Sequence, residues 1–143
     1  YTTTRGATDV AIVEAHGTGT SLGDPIELGA LIACRLGEHG SVLRTASIKA
    51  SIGHLEGCSG FAGLAKACLM LRKSSLPASL HFKTPNPKVD WTRVRIIDAQ
   101  EPMGCVQRTA GVSSFGFGGA LGHVALSAPA GSNDAENATG RTR

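Results

Sequence analysis

Two histidines, each next to glycine, are the side chains of this chain best suited to acid–base or hydrogen-bonding chemistry. His16 precedes a Gly-Thr-Gly segment, and His54 follows Gly53 shortly after Lys49. Histidine can donate or accept a proton near neutral pH, which makes it a frequent catalytic side chain. A single histidine beside glycine is more often a packing or loop residue. Two of them near the ends of two predicted strands favour a shared site.

Glycine marks three loops of this chain. The 19 glycines are grouped mainly in residues 17–23, 53–63 and 116–122, and a histidine lies beside each group. Glycine concentrates where the backbone bends sharply or approaches a ligand closely. We therefore expect these loops to form the functional part of the molecule.

The hydrophobic pattern predicts strands that end at these loops. The predicted strands lie near residues 9–14, 43–48, 95–99, 110–117 and 121–127. The first delivers His16, and the second leads to Lys49 and His54. The last two meet at Gly118 and Gly119, and the strand near 95–99 is expected to be peripheral. Because functional groups of α/β sheets gather at the carboxyl ends of strands, the pattern points to one site.

Two helices are predicted to pack on this sheet, near residues 24–37 and 59–72. The first begins with Asp24 and Pro25, which suit a helix N-terminus, and Glu27 can complete a capping box. The second is apolar on nearly every side, which is typical of a buried helix. The sequence therefore indicates an α/β fold, a mixed sheet with packed helices.

Composition argues against several classes of function. The 14 basic and 11 acidic residues are spread along the chain, without the concentrated basic face of a nucleic-acid-binding protein. No apolar run reaches the roughly 18 residues that a membrane span requires. The four cysteines lack the spacing of a zinc site, so we expect no metal and mostly buried, reduced thiols in a cytoplasmic protein. The first residue is Tyr1, and we expect the chain to be cut from something longer.

Two other features of the sequence allow alternative chemistries. The loop from Gly17 to Gly23 resembles a dinucleotide-binding loop, which would indicate an oxidoreductase, but its Gly-x-Gly-x-x-x-Gly spacing is a weak signal. Cys58 lies at a predicted helix N-terminus, where the helix dipole can activate a thiol. We prefer the interpretation that Cys58 is a small residue packed in a tight loop.

Four motifs, in order, resemble the C-terminal part of the β-ketoacyl synthase (ketosynthase) domain of type I polyketide synthases. They are Val-Glu-Ala-His-Gly-Thr-Gly-Thr at 13–20 with Leu-Gly-Asp-Pro-Ile-Glu at 22–27, Lys-Ala-Ser-Ile-Gly-His-Leu-Glu at 49–56, the connecting segment at 80–91, and Ser-Ser-Phe-Gly-Phe-Gly-Gly at 113–119. The resemblance covers nearly the whole chain. It implies the C-terminal half of a thiolase-like fold over residues 1–128, followed by a disordered linker or tail over 129–143.

The resemblance also implies a mechanism, a decarboxylative Claisen condensation in polyketide or fatty acid biosynthesis. A cysteine holds the growing acyl chain, while His16 and His54 bind the carbonyl of a malonyl-type extender and stabilise its enolate. Lys49 would support His54, and Phe117 would supply an oxyanion-hole amide and a gating ring. The loop residues Gly17, Thr18, Gly19, Gly118 and Gly119 would support these groups. No cofactor is expected to bind directly; the substrate would arrive on the phosphopantetheine arm of an acyl carrier protein.

Three departures from the family pattern qualify this expectation. The Thr-Ala-Cys-Ser-Ser type turn that holds the family nucleophile does not occur, so no nucleophile is assigned in this chain. Ala120 and Leu121 replace the usual Thr-Asn, and Ser51 replaces the usual Asn. We expect the chain alone to be inactive and to need the N-terminal half of the domain, in a complete enzyme that is a homodimer. The alternative is an inactive or non-elongating ketosynthase with a structural role.

Overall fold

The computed structural model describes residues 10–35, 42–104 and 108–128, and the predicted tail over 129–143 lies outside them. Within these ranges the strands are β1 (Ile12–Glu14), β2 (Leu43–Ala46), β3 (Ser75–Leu76), β4 (Val94–Ile96), β5 (Glu101–Pro102), β6 (Thr109–Phe115) and β7 (Leu121–Ser127). The helices are α1 (Gly23–Arg35), α2 (Lys49–Ile52) and α3 (Ser59–Lys73), with a 3-10 turn at Glu56–Cys58.

Five strands form one mixed sheet in the order β4-β2-β1-β6-β7. Strand β1 lies at the centre, with Glu14 opposite Ala46 on one side and Val112 on the other. All pairs are parallel except β6–β7, which is antiparallel. The predicted α/β fold with a mixed sheet is confirmed, and the predicted peripheral strand is β4 at the sheet edge. The parallel order brings the carboxyl ends of β1, β2 and β6 together.

The two faces of the sheet carry separate hydrophobic clusters. On one face, Ile12, Ala110 and Val112 pack with Ala67 and Met70 of α3. On the other face, a second cluster packs with α1; its buried members are Val13, Leu28, Leu43, Val89 and Val94. Because side chains alternate along a strand, neighbouring residues of β1 contribute to opposite clusters. The central strand is therefore fixed from both sides.

Helix α3 is only partly buried, which corrects the expectation of a helix buried all round. Its buried residues include Ala67, Met70 and Leu71, whereas Phe61 is 75% and Leu69 53% exposed. The reason is geometric: one side of α3 meets the sheet, and none of the described residues covers the other side. The cysteines were also expected to be mostly buried, but Cys34, Cys58 and Cys68 are exposed, and Cys105 lies outside the described residues.

Two local features were not predicted. The strand expected over 43–48 ends at Ala46, and the short helix α2 stands between it and His54. A helix of four residues is too short to show a hydrophobic period. The antiparallel pair β3–β5 was likewise missed, because each strand has two residues. Within residues 10–35, 42–104 and 108–128, no helix has the length and apolar character to cross a membrane.

Candidate active site

The rings of His16 and His54 lie next to each other at the carboxyl edge of the sheet. Their centroids are 5.4 Å apart, and the ring planes meet at 84°. His16 follows β1, whereas His54 follows α2 and the glycine Gly53, whose φ of +76° favours glycine. Groups this close can both reach one small substrate group, since a hydrogen bond spans about 3 Å.

Glu27 of α1 fixes the backbone around His16. Its two carboxylate oxygens accept the amide hydrogens of His16, at 2.7 Å, and of Gly17, at 3.0 Å. The side chain is buried, and this burial raises the pKa of Glu27, while the hydrogen bonds from Gly17 and His16 act in the opposite direction. Glu27 was predicted only as a capping residue, and the structure gives it this second role.

Gly17 allows the turn after His16 to be tight. Its φ is +48°, and an added Cβ would lie 2.8 Å from Cβ of Ser47. Gly19, with φ of +73°, is also in the left-handed region, and its amide donates to Asp24. The loop predicted to support the site therefore depends on glycine geometry at its first residue.

The Nζ atom of Lys49 lies 3.5 Å from Nδ1 of His16. Among the described residues no hydrogen bond joins Lys49 to His54, the partner that the family resemblance implied. Burial lowers the pKa of Lys49, and the carboxylates of Glu14 and Glu27 oppose that shift. Burial is also the largest cause that lowers the pKa of His16, followed by the charges of Lys49 and His54. Burial and the neighbouring positive charge of Lys49 both favour a neutral His16 imidazole.

Hydrogen bonds define the tautomers of the two histidines. Besides Lys49, the amide of Phe115 donates to Nδ1 of His16 at 3.4 Å. The amide of Glu56 donates to Nδ1 of His54 at 2.9 Å. Because Nδ1 accepts in both rings, a neutral imidazole carries its hydrogen on Nε2. The site thus contains two adjacent imidazoles, each with an Nε2–H donor.

The two phenylalanines of the glycine-rich turn contact different histidines. The ring of Phe117 stacks on His54, with centroids 6.3 Å apart and planes at 13°, and its side chain is 95% exposed. The ring of Phe115 lies 5.1 Å from that of His16. Gly119, with φ of +84°, closes the turn by donating to the carbonyl of Gly116. Phe115 was not predicted as a site residue, although it lies two residues before Phe117 and ends β6.

A cavity of about 410 Å³ opens beside the Gly17–Gly19 loop, and neither His16 nor His54 lines it. The Gly17–Gly19 loop and Lys49 form part of its wall, and Phe82 and Trp91 form an aromatic part. These two rings lie 5.7 Å apart. The connecting segment, which carried part of the family resemblance, therefore borders this cavity, and Lys49 is the residue that the cavity shares with the histidine pair. Within the described residues, no group of three or more His, Cys, Asp or Glu side chains could hold a metal ion.

The mixed sheet, with two histidines at its carboxyl edge, matches the arrangement expected for the C-terminal part of a thiolase-like domain. Residues 2–83 match the sequence profile of the family described as "Beta-ketoacyl synthase, C-terminal domain". Since this match spans more than half of the chain, the protein belongs to the β-ketoacyl synthase family.

The relatives are polyketide synthases. The chain is 45% identical over 129 residues to Mycoketide-CoA synthase of Mycobacterium tuberculosis, covering 85% of this chain and 3% of that protein. It is 47% identical over 122 residues to Erythronolide synthase EryA2 of Saccharopolyspora erythraea, covering 82% of this chain and 3% of that protein. The chain thus spans a small part of the length of these relatives.

Solved ketosynthase structures share the fold. The oxazolomycin ketosynthase domain OzmH KS7 of Streptomyces albus JA3453 superposes with a TM-score of 0.79 at 40% identity, covering 85% of this chain and 22% of that chain. The ketosynthase from module 6 of the bacillaene synthase of Bacillus subtilis 168 gives a TM-score of 0.80 at 32% identity, covering 85% and 23%. The predicted thiolase-like fold, C-terminal part only, is confirmed.

Proposed function

We propose that this chain supplies the decarboxylation half-site of a ketosynthase that condenses acyl units in polyketide or fatty acid biosynthesis. The observation that carries the proposal is the pair of Nε2–H donors on His16 and His54, whose rings are 5.4 Å apart. Two fixed donors suit the carbonyl oxygen of a malonyl-type thioester, where negative charge develops when carbon dioxide leaves.

The proposed reaction has two steps, decarboxylation and carbon–carbon bond formation. Cleavage of the bond to the carboxylate releases carbon dioxide and leaves its electron pair as an enolate, whose oxygen accepts hydrogen bonds from His16 and His54. The enolate carbon attacks the carbonyl carbon of an acyl thioester on a cysteine outside this chain. The new carbon–carbon bond forms, the carbon–sulfur bond breaks, and the cysteine leaves as a thiolate. The Phe117 amide would donate to the oxyanion of the second step.

Lys49 keeps His16 in the form that this chemistry requires. A positive charge beside Nδ1 disfavours protonation of the ring, in agreement with the lowered pKa of His16. As a donor to Nδ1, Lys49 also favours the Nε2–H tautomer. Lys49 acts in this scheme as a positioning and electrostatic residue, not as a nucleophile.

The exposed side of α3 supports the proposal that a second half-domain completes the site. Large apolar side chains such as Phe61 and Leu69 are exposed there, and an apolar face of this kind is typical of an interface. The chain also covers only 22–24% of the solved ketosynthase chains that it matches. We propose that the N-terminal half of the domain, with the nucleophilic cysteine, packs on this side, within a homodimeric, cytoplasmic enzyme.

An acyl carrier protein would deliver the extender on its phosphopantetheine arm. The cavity beside the Gly17–Gly19 loop supports this role through Lys49, which is part of its wall and lies 3.5 Å from Nδ1 of His16. No cofactor bound directly to the chain is needed for the chemistry. A nicotinamide oxidoreductase is the competing enzyme class, and saturation binding of NADPH, for which we expect no signal, distinguishes it.

A non-elongating ketosynthase is the second candidate. The turn after Gly119 carries Ala120 and Leu121 instead of Thr-Asn, and Leu121 is 77% exposed with no polar group to hydrogen-bond in the site. The two candidates are separated by incubating the complete domain with malonyl-loaded carrier protein. Conversion to the acetyl form by loss of carbon dioxide and uptake of a proton supports our proposal. An unchanged carrier mass would favour the non-elongating enzyme.

A further inference from the structure

Glu14 is the last residue of β1, and its carboxylate is buried. Its side chain is 1% exposed, and it faces α3 at the centre of the sheet. An isolated buried charge is very unfavourable, so such a group is normally paired and hydrogen-bonded. The partners of Glu14 therefore indicate why the charge is kept there.

The two carboxylate oxygens of Glu14 contact two different elements. One oxygen accepts the backbone amide of Ile48, the residue that immediately precedes α2 and Lys49. The other lies 2.7 Å from Nζ of Lys66 in α3, whose side chain is 10% exposed. Glu14 thus ties the strand that delivers His16 to the segment that delivers Lys49, and Lys66 holds Glu14 in place.

The packing of α3 leaves room for this ion pair. An added Cβ on Gly63 would lie 3.3 Å from Cγ of Glu14 and 3.3 Å from Cγ1 of Val112. Such distances are tighter than ordinary van der Waals contact, so a side chain here would displace its neighbours. Gly63 therefore allows α3 to approach the sheet while Glu14 stays buried beneath it.

We propose, on the basis of the function proposed above, that Glu14 and Lys66 form a positioning pair for Lys49. The pair fixes the Ile48–Lys49 backbone relative to β1, so that Nζ of Lys49 reaches Nδ1 of His16. Neither side chain forms a hydrogen bond or an ion pair with His16 or His54, and neither is a catalytic residue. Their effect on the reaction passes through Lys49 alone.

The charges around Lys49 agree with this assignment. Three charged or titratable side chains act on Lys49 or contact it: His16 after β1, Glu14 on β1 and Glu27 on α1. The carboxylates of Glu14 and Glu27 raise the pKa of Lys49 against the effect of its burial. Glu14 thus favours the charged ammonium as well as the backbone position.

The test uses the complete synthase domain that contains this chain, in the variants Glu14→Gln and Lys66→Met. Glu14→Gln keeps an acceptor for Ile48 but removes the charge. We expect kcat for malonyl decarboxylation to fall about 10- to 100-fold, the cost of a small misplacement of catalytic groups. The KM for malonyl carrier protein and the rate of acyl loading onto the cysteine should stay at wild-type values.

Glu101→Gln is the matched control. Glu101 also pairs with basic side chains, Arg44 of β2 and Arg95 of β4, but it lies on β5, outside the five-stranded sheet that carries the site. All three parameters should therefore be unchanged. If Glu14→Gln does not fold, Gly63→Ala gives a gentler displacement of the same carboxylate with every charge kept. It should lower the same kcat without changing acyl loading.

The outcomes separate this inference from the proposed function. A wild-type domain without decarboxylation activity would overturn the proposed function and this inference together. An active wild type that needs His16, combined with folded Glu14 and Gly63 variants of unchanged kcat, would overturn the inference alone. An equal fall in acyl loading and decarboxylation would indicate a merely structural role and would also overturn it.

Discussion

The ammonium of Lys49 lies 3.5 Å from Nδ1 of His16, and this contact determines which nitrogen of the imidazole carries hydrogen. The Phe115 amide donates to the same nitrogen. A ring held in this way presents Nε2–H on its other side, which is the atom that a developing oxyanion requires. Lys49 therefore links the charge balance of the site to its hydrogen-bonding geometry.

Replacing Lys49 should change the pH dependence of the complete domain. Burial is the main cause of the lowered pKa of His16, and Lys49 contributes next. In Lys49→Met this contribution is lost, so the pKa of His16 rises toward its ordinary value. Because the neutral ring is the active form, the acid limb of the kcat profile for decarboxylation should move to higher pH. Lys49→Arg, which keeps the charge, should move it less; an unmoved limb in Lys49→Met would contradict the role.

Glu27 should make the free energy of unfolding depend on pH. Burial raises the pKa of Glu27 above its ordinary value. At pH values between the ordinary pKa of a glutamate and the raised pKa of Glu27, the folded state binds more protons than the unfolded state. The free energy of unfolding should therefore fall as the pH rises through this window. In Glu27→Gln this fall should be smaller. Denaturant titrations at several pH values measure how the free energy of unfolding changes with pH. Glu56→Gln, which replaces an exposed glutamate, is the control. Equal slopes in wild type and Glu27→Gln would contradict the assignment.

The turn after His16 should tolerate only glycine at position 17. In Gly17→Ala the new Cβ meets Ser47 at 2.8 Å, and φ of +48° is unfavourable for alanine. We expect the free energy of unfolding to fall by about 1–3 kcal/mol. Gly57→Ala is the control, because a Cβ there has no neighbour within 4 Å and φ is not in the left-handed region. Equal stability of the two variants would argue against a strained turn.

Purified residues 1–143 should form no covalent acyl adduct. Cys58 is exposed and precedes α3, but it has no hydrogen bond to a histidine among the described residues and so lacks the adjacent base that activates a Cys–His nucleophile. Intact-mass spectrometry after incubation with an acyl thioester measures the adduct in wild type and Cys58→Ala. A stoichiometric adduct that disappears in Cys58→Ala would make Cys58 a working nucleophile.

Much of the fold follows from local patterns, whereas several details of the site do not. The apolar, β-branched run at 9–14 predicted β1, the run at 43–48 predicted β2, and the two runs that meet at Gly118 and Gly119 predicted β6 and β7. The contact of Lys49 with His16 depends on the four-residue helix α2, which leaves no periodic signal. The exposure of Phe61 could not be read from periodicity either, because an apolar side chain on a helix does not reveal what covers it. The catalytic roles of His16, His54, Lys49 and Phe117 stay predictions.

The most direct test of the account measures two reactions on one sample of the complete domain: loss of carbon dioxide from malonyl carrier protein, and acyl loading onto the cysteine. In His16→Ala or His54→Ala we predict that decarboxylation falls about 10²- to 10³-fold, the usual cost of one oxyanion donor, while acyl loading continues. Wild-type decarboxylation in either variant would contradict the claim that the two imidazoles bind and stabilise the enolate.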